Sequence, residues 1–345
     1  MNKQEKIEKF NPDERAEQGG IYGLPFNYEE SETVVLGIPW SVTHKHRTNS
    51  ALAPQAVWEA SRLVELFDPY LPEGWKKGIY YAVPDKDIYS KHLKFQPKAA
   101  RYIKAVQKGE PARDWIKQME KINKACAKMV DHVHKLSATM LKDAKNLVAL
   151  GGDQSTALGL LRALNEKHEA FGVLHFDAHA DLISARYGLT YSHRSVMHNA
   201  LRLKAVKKLT QVGVREFNSE EHASIQNSHG RIATFFDGDM KREAILGKSW
   251  SEQCKEIVDS LPNKVYLSVD VDGLAPYLAP ANTQIVPGGL SLDEFYYLLE
   301  RIVESGRTLI GADLGEIAAQ NGEQWDARVG ARVLYRIVNY MIASR

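Results

Sequence analysis

Seven short runs rich in β-branched and other apolar residues punctuate this chain, at 33–38, 147–150, 171–176, 209–214, 232–236, 265–269 and 308–312. Most are continuously apolar rather than alternating. A strand with one wet face alternates, so continuous runs mark strands covered on both faces, the condition of a parallel sheet. Stretches with helical periodicity lie between them, at 156–168, 250–260 and 292–305. Strand followed by helix, repeated, predicts an α/β chain: a three-layer α/β/α sandwich around a mainly parallel, doubly wound sheet.

Two segments break the rhythm. In the first, Trp115, Met119, Ile122, Cys126, Met129, Val133, Leu136 and Met140 alternate spacings of four and three, which predicts a long amphipathic helix over about 112–143. In the second, 69–111, Pro, Lys and Tyr are frequent and apolar residues too few for a separate core, so it reads as an irregular insertion. With no internal repeat, residues 1–345 are expected to form one domain.

Composition removes several function classes. A net charge of +2 leaves no basic footprint for nucleic acid or anionic membrane. No apolar run approaches the roughly 18 residues of a membrane span. Residues 2–15 are polar and charged, unlike a secretory leader. The cysteines, Cys126 and Cys254, lack metal or redox spacing and read as free thiols. A cytoplasmic protein is the expectation.

Chemistry concentrates at the downstream ends of the runs. Gly151-Gly152-Asp153-Gln154-Ser155 follows the second, Asp177-Ala178-His179-Ala180-Asp181 the third, and Asp270-Val271-Asp272 the sixth. Asp313-Leu314-Gly315-Glu316 follows the last. In an open parallel sheet, ligands bind beyond these carboxyl ends. One Asp at a strand end is ordinarily a helix cap, and that reading suffices for Asp153. Asp177, His179, Asp181, Asp270 and Asp272 on one rim are different, because their charges repel unless a cation sits among them. Oxygen-rich donors select a hard divalent metal, and such a metal activates water.

These stretches resemble the signatures of the ureohydrolases, written GGDHS, DAHxD and SxDxDxxDP. Arginases, agmatinases and their relatives hydrolyse guanidino or amidino compounds at a dinuclear manganese centre. The likeness extends over roughly 33–340, through Gly37-Ile38-Pro39, Ala279-Pro280 and Pro287-Gly288-Gly289-Leu290. Around Thr190-Tyr191-Ser192-His193 and over 325–332 it is closer to agmatinase-like members. The resemblance implies two Mn2+ ions, with Asp177 and Asp270 bridging both. His179 and Asp272 would complete one ion, Asp181 and Gln154 the other. It also implies that His193 passes a proton to the leaving amine and that Glu316 pairs with the substrate guanidinium, a cation that a carboxylate fits bidentately. The partner would be a small guanidino or amidino molecule, cleaved to urea and an amine. Family members are commonly homo-trimers or hexamers.

The remaining histidines take plainer readings. His44 and His46 flank Lys45 in the first active-site loop and read as solvated. His132 and His134 fall on the polar flank of the long helix, His175 reads as a satisfied core residue, and His198 has no assigned place.

Several positions depart from the family. Gln154 replaces a histidine ligand; its amide oxygen is a weaker donor on a longer, more flexible stem. The metal held by Asp181 and Gln154 is therefore expected to be weak, exchangeable or absent, while that held by His179 persists. Ala275 replaces an anchoring Asp, Asn49 a Gly, and Asn282-Thr283-Gln284-Ile285 and Ala318-Ala319 depart at the rim. Two functions stay open: a metal-dependent hydrolase, or a catalytically weak or inactive family member binding one metal as a regulatory or assembly subunit. For the hydrolase, agmatine-like substrates are favoured, and Arg186 leaves guanidino acids open by offering a partner to a substrate carboxylate.

Overall fold

The computed structural model describes residues 1–14, 19–44, 49–282, 284–319 and 324–345. Eight strands form one sheet: β1 (Thr33–Ile38), β2 (Ile79–Ala82), β3 (Asn146–Gly151), β4 (Phe171–Phe176), β5 (Val206–Val214), β6 (Ile232–Phe236), β7 (Lys264–Asp270) and β8 (Thr308–Gly315). Their order is β2-β1-β3-β8-β7-β4-β5-β6, and every pairing is parallel.

Successive side chains feed two separate cores. On one face Val35, Leu174 and Phe176 pack with Val57, Phe295 and Leu334 from helices. On the other Val34, Leu36, Phe171 and Val173 pack with Ile122, Met129 and Leu160. Burial on both faces is why the runs lack alternation, and it gives the three-layer α/β/α sandwich. Cys126 and Cys254 are buried free thiols, one in each core. No helix among the described residues is long and apolar enough to cross a membrane.

The helix Ile116–Lys142 follows the expected stripe, burying Ile122, Cys126, Met129 and Val133. The segment 69–111 differs from its expectation: it holds β2 and the helix Lys86–Gln107. β2 is an edge strand with alternating burial, so it needs little apolar content. The helix starts at an Asp85 cap and packs Ile88, Ala99, Tyr102 and Ile103 inward, a stripe too thin to stand out among its lysines. Pro97 inside it removes one helical N–H yet does not end it.

Strand order positions the site. The four central strands β3, β8, β7 and β4 end side by side. Ser268 pairs with Asp313 and Asp270 with Gly315, while Val269 pairs with Phe176, so Asp270 lies just beyond β4 beside Asp177. The β3 and β1 ends also meet: a Cβ on Gly152 would lie 2.1 Å from the Trp40 carbonyl oxygen, a gap only glycine leaves.

Candidate active site

Each strand end turns in the same way. Asp177 Oδ1 accepts the His179 N–H at 2.6 Å, Asp270 Oδ1 the Asp272 N–H at 2.8 Å, and Asp153 Oδ1 the Ser155 N–H at 3.1 Å. Asp272 Oδ1 accepts the Ala178 N–H at 3.0 Å and so ties β7 to β4. The His179 ring lies between carboxylates, its Nδ1 3.2 Å from Asp177 Oδ1 and 3.1 Å from Asp272 Oδ2. Ligating atoms of Asp177, His179 and Asp272 fall within 4.8 Å of one another, as do those of His175, Asp177 and Asp181.

All these groups are buried, and their electrostatics follow. Burial first, then the Asp272 and Asp177 charges, push the Asp270 carboxyl well above its usual range. Burial and Asp177 do the same to Asp181, and to a smaller extent to Asp272. Burial also opposes charge on Asp177, but contacts with His175 and His179 outweigh it and hold that carboxyl low. Burial likewise works against a charged His179, yet Asp272 and Asp177 raise it to about 10. Carboxylates crowded in low dielectric in this way suit a cation. Asp181 Oδ1 and Gln154 Oε1 fit that reading further, being buried oxygens with no hydrogen bond.

Gln154 opens a short 3-10 turn behind its Asp153 cap. Its Nε2 donates to Asp313 Oδ2 at 2.7 Å and to Ser268 Oγ at 2.8 Å. Both amide hydrogens are thereby used and only Oε1 is left free. Gly315 makes room for that oxygen: a Cβ there would lie 2.4 Å from it. The expected flexible stem is thus corrected, since neighbours on β7 and β8 hold the amide in one orientation.

Two residues around the rim escaped the sequence reading. Arg194 is almost fully buried, and its Nε stands 3.7 Å from Asp181 Oδ1, a fixed positive charge beside that carboxylate. His175 does sit in the core, but its Nε2 lies 3.0 Å from Asp177 Oδ2. The other ring nitrogen, Nδ1, accepts from Gln211 Nε2 at 3.1 Å, and Gln211 Oε1 accepts from Thr234 Oγ1 at 3.0 Å. This chain puts the imidazole proton on Nε2, facing Asp177. The two-residue spacing within a strand, which places both side chains on one face, was the available signal.

The resemblance-implied catalytic residues gather on the other side of the rim. His193 is buried, with Nδ1 2.8 Å from Thr43 Oγ1. Burial, then the neighbouring His44 and Arg194 charges, hold its pKa well below the usual value, so the ring is neutral. Glu316 Oε1 accepts the Gln154 backbone N–H at 3.0 Å. Its partner is unexpected: His44 Nε2 lies 2.9 Å from Glu316 Oε2, and the His44 ring stacks on His193 with centroids 4.0 Å apart. His44 is therefore buried at the site rather than solvated. Beside it opens a cavity of about 160 Å³ bordered by Thr43, His44, Arg186, Tyr187, His193 and Gln284.

The other histidines lie elsewhere. His132 pairs with Asp85 at 3.0 Å and His134 with Glu166 at 2.9 Å, both outside this rim. His198 borders a separate surface cleft with Arg162 and Tyr191. Lys45, His46, Arg47 and Thr283 lie outside the described residues. At Ala275, where a carboxylate anchor is missing, the backbone takes over: its N–H donates to the Leu290 carbonyl at 2.8 Å.

An all-parallel sheet whose central strands deliver Asp, His and Glu side chains to one carboxyl edge is the architecture of the ureohydrolases. The profile of the Arginase family matches residues 31–339, and the chain belongs to that family. Its relatives place it among the agmatinase-like members. It is 29% identical over 316 residues to an N(1)-aminopropylagmatine ureohydrolase of Thermus thermophilus, covering 90% of each chain. It is 27% identical over 293 residues to the agmatinase of Halalkalibacterium halodurans, covering 85% of this chain and 86% of that one. Among solved structures, the agmatine ureohydrolase of Thermoplasma volcanium superposes with a TM-score of 0.71 at 22% identity, covering 99% of this chain and 98% of that one. The proclavaminate amidino hydrolase of Streptomyces clavuligerus gives a TM-score of 0.72 at 20% identity, covering 96% and 99%. The structural likenesses bear on the fold.

Proposed function

We propose that the chain is a divalent-metal-dependent hydrolase of a linear guanidino or amidino C–N bond, releasing urea and an amine. The observation that carries this reading is the convergence of Asp177, His179 and Asp272, with buried oxygens of Asp181 and Gln154 left without hydrogen bonds. Asp177 and Asp270 would hold both ions, His179 and Asp272 one of them, Asp181 and Gln154 the other. Mn2+ is the expected metal. A metal pair of this kind supplies an activated water and stabilises negative charge on the reacting carbon's substituents.

The chain's own groups supply the rest. His193, held neutral, can accept a proton and then return it to the departing amine. Thr43 fixes its ring through Nδ1. His175, with its proton on Nε2, orients Asp177, and Asp313 with Ser268 orients Gln154. Arg194 supplies positive charge next to Asp181, which weakens the attraction of that side for a second cation. A cytoplasmic homo-oligomer, trimeric or hexameric, completes the proposal.

The test is metal content after manganese loading, with urea release from a panel of guanidino compounds assayed on the same sample. About two metals per chain with turnover is the expected result. One observation favours a second reading, a non-catalytic family member: Glu316, the residue in line for the substrate, is already paired with His44. One metal or none, and no urea from any compound, would establish that reading instead.

A further inference from the structure

The contact between His44 and Glu316 bears on which molecule the site accepts. Both oxygens of Glu316 lie within 3.0 Å of His44 Nε2, and Oε1 also accepts the Gln154 N–H. The carboxylate is therefore engaged from inside the protein and offers no free edge to an incoming guanidinium. Burial opposes charge on His44, but Glu316 outweighs it and raises the ring's pKa. The cavity next to this pair is lined by Thr43, His44, Arg186, Ser192, His193 and Gln284, together with four other residues, none of them Asp or Glu. Its charged groups are cations. Arg186 is partly exposed there and backed by the Tyr187 ring, 5.4 Å from the guanidinium carbon.

A dication such as agmatine would bring its ammonium end into this cavity with no carboxylate among the described lining residues to meet it. A guanidino carboxylic acid is matched there, because its carboxylate reaches Arg186 on the cavity wall. The volume also selects: about 160 Å³ is below the roughly 300 Å³ at which drug-sized sites begin, which limits the chain to a few carbons.

Resting on the hydrolase reading above, we propose that His44 is a specificity-determining residue which, with Arg186, commits the site to a short guanidino carboxylic acid. The test is a ratio of dissociation constants measured by calorimetry on the manganese-loaded full chain, with 4-guanidinobutyrate and agmatine as probes. The wild type is expected to favour the acid by about tenfold or more, the size of one well-placed charge contact. Arg186→Ala should erase most of that preference. His44→Gln, which empties Glu316 of its cationic partner, should strengthen agmatine by about tenfold. Equal or tighter agmatine binding by the wild type overturns the inference, as does an unchanged ratio in both variants or binding of neither probe. Circular dichroism on each variant guards against misfolding, and Arg186→Ala, at a partly exposed position, remains readable if His44→Gln does not fold. Because the readout is binding, a preference for the acid without urea release would sink the hydrolase and leave His44 in its role.

Discussion

Asp313 Oδ2 accepts a hydrogen bond from Gln154 Nε2 at 2.7 Å, and this contact decides which end of the amide faces the rim. With the nitrogen turned toward Asp313 and Ser268, the oxygen is the atom left for a cation. The same pair of neighbours could orient an imidazole N–H, so Gln154→His should seat without disturbing the rim. It is expected to tighten the weaker metal by about tenfold or more and to raise hydrolysis, since imidazole is the better donor to first-row metals. Asp313→Asn should weaken it by about 10- to 100-fold. Metal titration by calorimetry checks both; no change in either variant would remove Gln154 from the metal site.

Arg194 and a second cation compete for Asp181. Arg194→Met should therefore raise the metal content per chain at limiting manganese. Without metal the same change should destabilise the protein by about 3 kcal/mol, because it leaves a buried carboxylate without its partner. Elemental analysis and thermal melts in chelator read the two effects separately. A variant that loses stability without gaining metal would reduce Arg194 to a structural role.

Asp270 gives a change of sign. Its carboxyl is pushed above the usual range by burial, Asp272 and Asp177, so the folded protein favours the protonated form. Stability is then lost as pH rises from the unfolded carboxylate value through the folded one. Asp270→Asn should accordingly stabilise the chelated protein at neutral pH, with a gain that shrinks in acid, and should abolish manganese binding. Unchanged metal content would sink the bridging assignment.

His92 provides a pH probe away from the metal. Burial lowers it from 6.5 to about 4, and its Nδ1 accepts the Ser41 N–H at 3.2 Å. A lowered histidine favours the neutral folded form, so its contribution is complete above about pH 6.5 and fades as pH falls toward 4. His92→Gln, which keeps an acceptor for Ser41, should flatten acid unfolding over that window by about 1–2 kcal/mol. Denaturant melts between pH 4 and 7 would show it; parallel curves for the two proteins would not support it.

Seven of the eight strands and their acidic ends were legible because burial on two faces writes itself into consecutive residues, and a strand-end Asp keeps its place in the line; the half-covered edge strand β2 was not. Helix Lys86–Gln107 was hidden by Pro97 and by lysines that leave only a thin apolar stripe. The roles of His44, Gln154 and Arg194 were hidden for another reason. His44 meets Glu316 across 272 positions and Gln154 meets Asp313 across 159, so no local window holds both partners. His175 was the near miss, read correctly as buried but without its neighbour Asp177.

Asp181 and Glu316 share a backbone trait: their φ angles of 54° and 62° fall in the left-handed region that a side chain resists. Each conformation costs of order 1–3 kcal/mol, held in place by the surrounding fold. These are two of the carboxylates expected to do chemistry, so part of the protein's resilience has been traded for where two side chains point. Asp181→Gly would relax that tension but strand the buried Arg194 without its carboxylate and leave the protein poorer at holding a metal. The strained aspartate is the mark of a chain shaped by what it must hold.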